Sequence, residues 1–154
     1  MAESVALDDR VWLGRAPLPW EADHRRFAQI VDVTSELSLH HRGTRAHGWL
    51  DLTEPTCGQL LTAALAVQRA AASGPVLVCC ALGFSRSPAV AATWLCVYGP
   101  RASVDDAVQQ IRHARPQVVL TPQLVRVIEQ AVAAARDEGS LPPDGAAQCA
   151  RVRP

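Results

Sequence analysis

The feature that most constrains this chain is a short apolar run with punctuation before it. Val76-Leu77-Val78-Cys79 lies directly behind Gly74-Pro75. Glycine just past a helix end, with proline after it, is a stop signal. A continuous apolar run behind such a stop fits a strand buried on both faces, as in a parallel sheet. The helix being stopped is also marked at its start. Thr56 with Gln59 three residues on forms a capping-box pattern, and Leu60, Leu61, Ala64, Leu65 and Gln68 follow at helical spacing. Downstream, Pro88 suits the first turn of another helix. Helix, buried strand and helix in succession commit the middle of the chain to an α/β arrangement.

The flanks extend this reading. Val11-Trp12-Leu13, closed by Gly14, and Ile30-Val31-Asp32-Val33 are expected strands, and Glu21 to Ala28 is an expected helix. His40-His41-Arg42-Gly43-Thr44-Arg45-Ala46-His47 reads as a polar, solvated loop, with an anionic-substrate rim as its functional alternative. Trp49-Leu50-Asp51-Leu52 reads as a short strand running into a turn. Ser103 caps a helix whose Asp105 and Asp106 suit the positive end, and Val104, Ala107, Val108 and Ile111 form its apolar stripe. Thr121-Pro122 opens a last helix with Leu124, Val127, Ile128, Ala131, Val132 and Ala135 on one face. Trp12, Trp49 and Trp94 are core candidates, and Trp20 an exposed one. The expected fold is a single α/β domain over 1–138, with a short, mostly parallel central sheet flanked by helices. The Pro- and Gly-containing stretch 139–154 reads as a mobile tail.

Composition narrows the function. Fifteen basic residues balance fifteen acidic ones, which argues against a non-specific nucleic-acid binder. All the basic residues are arginine, which with the abundant alanine suggests a GC-rich, bacterial coding genome. No secretory leader is visible, and the longest uncharged apolar stretch, Ala89 to Tyr98, is too short for a membrane span. The five cysteines, at 57, 79, 80, 96 and 149, are odd in number and irregularly spaced, so a disulfide framework is not expected. Cys57 and Cys96 read as packing residues and Cys149 as a tail residue without a role. No cysteine or histidine pair has zinc spacing, so no metal and no cofactor is expected, and the compartment reads as a reducing cytoplasm. Oligomeric state is not written in the sequence.

Chemistry concentrates in Cys79-Cys80-Ala81-Leu82-Gly83-Phe84-Ser85-Arg86-Ser87-Pro88. Five residues separate Cys80 from Arg86. A loop this short at a helix N-terminus can aim its backbone N–H groups at one point, and the helix dipole adds to them; together they make an anion site. Ala81, Leu82, Gly83, Phe84, Ser85 and Arg86 are the expected phosphate-binding residues. Gly83 frees the loop from side-chain clash, and Arg86 offers a fork matched to two phosphate oxygens. Cys80, at the mouth of this positive cradle, is expected as a thiolate nucleophile aimed at phosphorus.

This C-x5-R-S stretch behind a Val-Leu-Val strand resembles the signature of cysteine-dependent protein tyrosine phosphatases. The short chain is similar to their dual-specificity branch. Val11 to Pro17 resembles that branch's opening strand and turn. Arg112 to Pro116, then Thr121-Pro122, resembles its closing helices. Such flanks are similar to those of the mitochondrial phosphatidylglycerophosphate phosphatase and its bacterial relatives. The resemblance implies that Cys80 forms a cysteinyl-phosphate, that Arg86 binds the phosphate and its transition state, and that Ser87 helps the thiolate leave. It also implies a carboxylic acid upstream, for which Asp51 stands in place and Glu54 is the nearest rival. Asp32 and Glu36 read as strand-end and loop residues, with lining of the site as their alternative. The sequence departs from the family at Cys79, where histidine is usual.

The expected function is a metal-independent phosphomonoester hydrolase. A phosphorylated protein is the first expected substrate (phosphotyrosine, with phosphoserine or phosphothreonine tolerated), and a phospholipid monoester the alternative. The loop interior carries no basic side chain, which disfavours multiply phosphorylated inositol lipids. Cys79 leaves two other classes open: a non-catalytic phosphate-binding pseudophosphatase, and a sulfur-transfer or redox protein using the adjacent thiols.

Overall fold

A computed structural model describes residues 4–18, 21, 26–35, 44–49 and 53–138. Five strands and four helices occur among them. The strands are β1 (Ser4–Ala6), β2 (Val11–Arg15), β3 (Gln29–Thr34), β4 (Thr44–Trp49) and β5 (Val76–Cys80). The helices are α1 (Cys57–Ala71), α2 (Arg86–Val97), α3 (Val104–Ala114) and α4 (Pro122–Asp137).

The sheet order is β1-β2-β5-β3-β4. β1 pairs antiparallel with β2, and every other pairing is parallel. The run behind Gly74-Pro75 thus occupies the central strand, and all five of its residues are buried. α1 begins as the sequence requires: Thr56 accepts from the Gln59 amide at 3.1 Å, and Gln59 Oε1 accepts from the Thr56 amide at 2.8 Å. Ser103 caps α3 through the Asp106 amide, and Thr121 caps α4 through the Leu124 amide.

Alternation along the strands divides the core. Val11, Leu13, Val31, Val33, Val76, Val78 and Cys80 pack with all four helices. Leu77 and Cys79 face the other way, with Phe27, Ile30, Trp12 and Ala16. The Arg26 guanidinium lies 4.1 Å from the Trp12 ring centre, a cation–π cover over that smaller layer. α2 is enclosed by the sheet and by α1, α3 and α4, and eleven of its residues are buried.

Two sequence expectations are corrected. Thr44 to His47 belong to β4 rather than to a loop, because β3 supplies their backbone partners even without an apolar pattern. Trp49 closes the described part of this strand, and Leu50 to Leu52, expected to continue from it, lie outside the described residues. Glu21 and residues 26–28 are not helical; Glu21 instead ion-pairs with Arg15 and accepts from the Leu18 amide. β1 was not anticipated. Trp49 and Trp94 are buried, whereas Trp12 is half-buried and Trp20 lies outside the described residues, as do Glu36, His40 to Gly43, Asp51 and 139–154.

Candidate active site

β5 delivers Cys80 to the carboxyl edge of the sheet, between β2 and β3, where open α/β sheets form their sites. The chain then turns through residues 81–85 and enters α2 at Arg86. Gly83 has φ +71°. A Cβ there would lie 2.6 Å from the Gly14 carbonyl carbon and 2.7 Å from the Arg15 nitrogen. Both the left-handed backbone and the contact with β2 therefore require glycine.

Cys80 is 3% exposed, and its Sγ lies 3.2 Å from Ser87 Oγ. Ser87 Oγ also donates to the Gly14 carbonyl at 3.2 Å. A serine hydroxyl has one proton, so with Ser87 donating to Gly14 it is the Cys80 thiol that donates to Ser87 Oγ. Arg86 is buried, and its Nη1 donates to the Trp49 carbonyl at 2.9 Å. This ties the guanidinium to the end of β4, two residues before Asp51.

On the outer side, Arg115 Nε donates to the Gly83 carbonyl at 2.9 Å and Nη2 to the Leu82 carbonyl at 3.1 Å. The Val119 amide donates to the Phe84 carbonyl at 2.6 Å. The N–H groups of residues 82–85, by contrast, have no acceptor among the described residues. Four neighbouring main-chain donors without an acceptor, at the head of a buried helix, suit an anion.

A cavity of about 500 Å³ opens over this loop. Cys80, Ala81, Leu82, Phe84, Ser85 and Arg86 line its floor and wall; Thr53, Glu54, Val119, Thr121, Gln123 and Leu124 complete it. Three of its residues are exposed large apolars: Leu82 at 57%, Phe84 at 37% and Val119 at 54%. The arrangement can hold a tetrahedral oxyanion over a thiol beside a guanidinium.

The structure brings Cys80, Ser87, Arg86 and the 81–85 loop together, with Glu54 on the same cavity. Asp32 is elsewhere: it is buried on the Cys79 side of the sheet and accepts from the Thr34 amide at 2.9 Å and hydroxyl at 2.6 Å. Cys79 is buried among apolar side chains, and burial, then the charges of Asp32 and Cys80, push its thiol well above the ordinary value. The two adjacent thiols face opposite sides of the sheet, which disfavours their use as a redox pair. Sequence reasoning gave no role to Arg115; its pairing with the loop spans more than thirty residues and has no local pattern. Among the described residues, no cluster of histidine, cysteine and carboxylates could hold a metal.

A family model for protein-tyrosine phosphatase matches residues 25–134. The fold is similar to that of Tk-PTP in its active form, at 26% identity over 85% of this chain and 97% of that one, with a TM-score of 0.74. It is also similar to PTPMT1 in complex with PI(5)P, at 19% identity over 90% of this chain and 100% of that one, TM-score 0.73. Human DUSP28 superposes at 22% identity over 88% and 97% of the two chains, TM-score 0.73. No curated protein gives a significant match.

Proposed function

The chain belongs to the protein-tyrosine phosphatase family and is a cysteine-dependent phosphatase, and from that premise we propose the role of each residue. Cys80 as thiolate attacks phosphorus of a phosphomonoester. The S–P bond forms as the bond from phosphorus to the leaving oxygen breaks, and a carboxylic acid protonates that oxygen. Water, activated by the resulting carboxylate, then attacks the cysteinyl-phosphate, the S–P bond breaks, and Ser87 donates to the departing thiolate. The N–H groups of residues 82–85 and the Arg86 fork stabilise charge on the equatorial oxygens. The single observation that carries this reading is the set of loop N–H groups, without an acceptor among the described residues, beside Cys80 and Arg86.

Asp51 is our candidate acid. It follows Trp49, whose carbonyl accepts from Arg86, by two residues. Glu54, on the cavity wall, is its rival.

The substrate reading is a phosphoprotein, with phosphotyrosine first: the apolar mouth formed by Leu82, Phe84 and Val119 suits an aromatic leaving group. The same mouth favours a phospholipid monoester as the second reading. PTPMT1, of similar fold, was solved with PI(5)P. We also take the protein as bacterial, from its composition, and as cytoplasmic, from the odd number and irregular spacing of its cysteines.

Mass spectrometry of protein quenched during turnover of p-nitrophenyl phosphate tests the core of the reading. Phosphate on Cys80, absent from Cys80→Ser, is the expected result. Turnover by Cys80→Ser at the wild-type rate would overturn it. A phosphopeptide panel assayed beside phosphatidylglycerophosphate vesicles ranks the two substrate classes.

A further inference from the structure

We propose that Arg115 is a positioning residue, which holds the phosphate loop with its N–H groups turned inward. The inference rests on the phosphatase reading above.

The argument starts from the peptide plane. In a trans peptide the C=O and the following N–H point in opposite directions. Arg115 binds the carbonyls of Leu82 and Gly83, which turns the N–H groups of Gly83 and Phe84 away from it. Val119 binds the Phe84 carbonyl, which turns the Ser85 N–H away likewise. Three consecutive peptide units are thus oriented from outside by the connection between α3 and α4. The N–H groups so turned are among those that have no acceptor in the described residues.

The opposite wall is equally fixed. Gly83 presses on Gly14 and Arg15, so the loop is gripped between β2 and Arg115. Arginine suits this position because two carbonyls on successive residues need two donors in a rigid fork, and lysine offers only a point charge. Arg115 is buried at 4% exposure, so its charge is desolvated and the carbonyls replace its water. The guanidinium also polarises the peptide units it binds, which strengthens their N–H groups as donors.

The test uses the full-length chain, with Arg115→Met and Arg115→Lys, and reads kcat and KM for p-nitrophenyl phosphate, orthovanadate inhibition, and the melting temperature. A displacement of about 1 Å at a reacting group can cost about 100-fold in rate. Arg115→Met is therefore expected to lose 10- to 100-fold in kcat and to bind orthovanadate correspondingly less tightly. Arg115→Lys is expected to fall between it and wild type in both readouts. A merely structural role would lower the melting temperature and leave the orthovanadate affinity of folded protein unchanged; that result overturns the proposal. If Arg115→Met does not fold, Arg115→Lys decides alone, and wild-type kcat with wild-type orthovanadate affinity in it overturns the proposal. Failure of the phosphatase reading is distinguishable, because wild type and Cys80→Ser would then turn over alike.

Discussion

Two thiols adjacent in sequence lie in opposite halves of this molecule. Cys80 faces the helices, within 3.2 Å of the Ser87 hydroxyl and on the wall of the cavity. Cys79 faces the small layer built on Phe27, Ile30 and Leu77, with the buried Asp32 beside it. Burial is nearly equal for the two, so burial does not separate them. What separates them is the strand's alternation, which sends one side chain toward the 81–85 loop and the other toward apolar surface and a carboxylate. A sheet edge can therefore hold a reactive sulfur and a stored one within a single dipeptide.

The strongest way to break the comparison is to exchange the two thiols' fates. Cys80→Ser should abolish turnover of p-nitrophenyl phosphate to background, with no phosphorylated cysteine detectable by mass spectrometry. Next in size is the acid. Asp51→Asn should lower kcat by about 10²–10⁴-fold and flatten the alkaline limb of the pH–rate profile, where a general acid loses its proton, and Glu54→Gln should keep most activity; the reverse order would exchange their roles. Gly83→Ala places a Cβ against Gly14 and a side chain at positive φ. It should cost about 1–3 kcal/mol in urea unfolding and lower kcat at least tenfold.

The smallest effects belong to the other face. Cys79→Val keeps the apolar character of its layer and adds roughly a methyl group, so kcat should stay within threefold and stability within about 3 kcal/mol. The same thiol gives a pH test with a definite sign. Burial raises Cys79 well above 9.0, and Cys57 and Cys96 are raised as well. Above pH 9 the unfolded chain loses these protons while the native state keeps them. Stability should therefore be complete below that pH and fall as pH rises above it, by at most about 1.4 kcal/mol per pH unit for each thiol. Denaturant midpoints at pH 7.5 and pH 10 measure it, and Cys79→Val should remove part of the loss.

The centre of the fold was legible in the sequence because its signals are local. The capping box of Thr56 and Gln59, the Gly74-Pro75 stop and the caps at Ser103 and Thr121 each act within a few residues. The buried run of β5 and the loop into α2 follow from the same kind of signal. The edges were not legible. β1 is three residues long, and Thr44 to His47 carry no apolar alternation; both strands exist through hydrogen bonds to a neighbour distant in sequence. The site divides the same way. Cys80, the loop, Arg86 and Ser87 lie in one contiguous stretch, whereas Arg115 reaches that stretch from the far side of α3. The contact of Gly83 with Gly14, which explains the glycine fully, is likewise a product of tertiary packing.

Ser87 connects the chemistry to a strand that takes no direct part in it. Its single hydroxyl proton has two claimants, the sulfur and the main-chain oxygen of Gly14. Whenever the sulfur is negative the proton belongs there, and the glycine oxygen loses that donor. An isotope-labelled carbonyl at Gly14 would thus report, by its infrared frequency, the electrical state of an atom on the adjacent strand, with no probe touching the reaction centre.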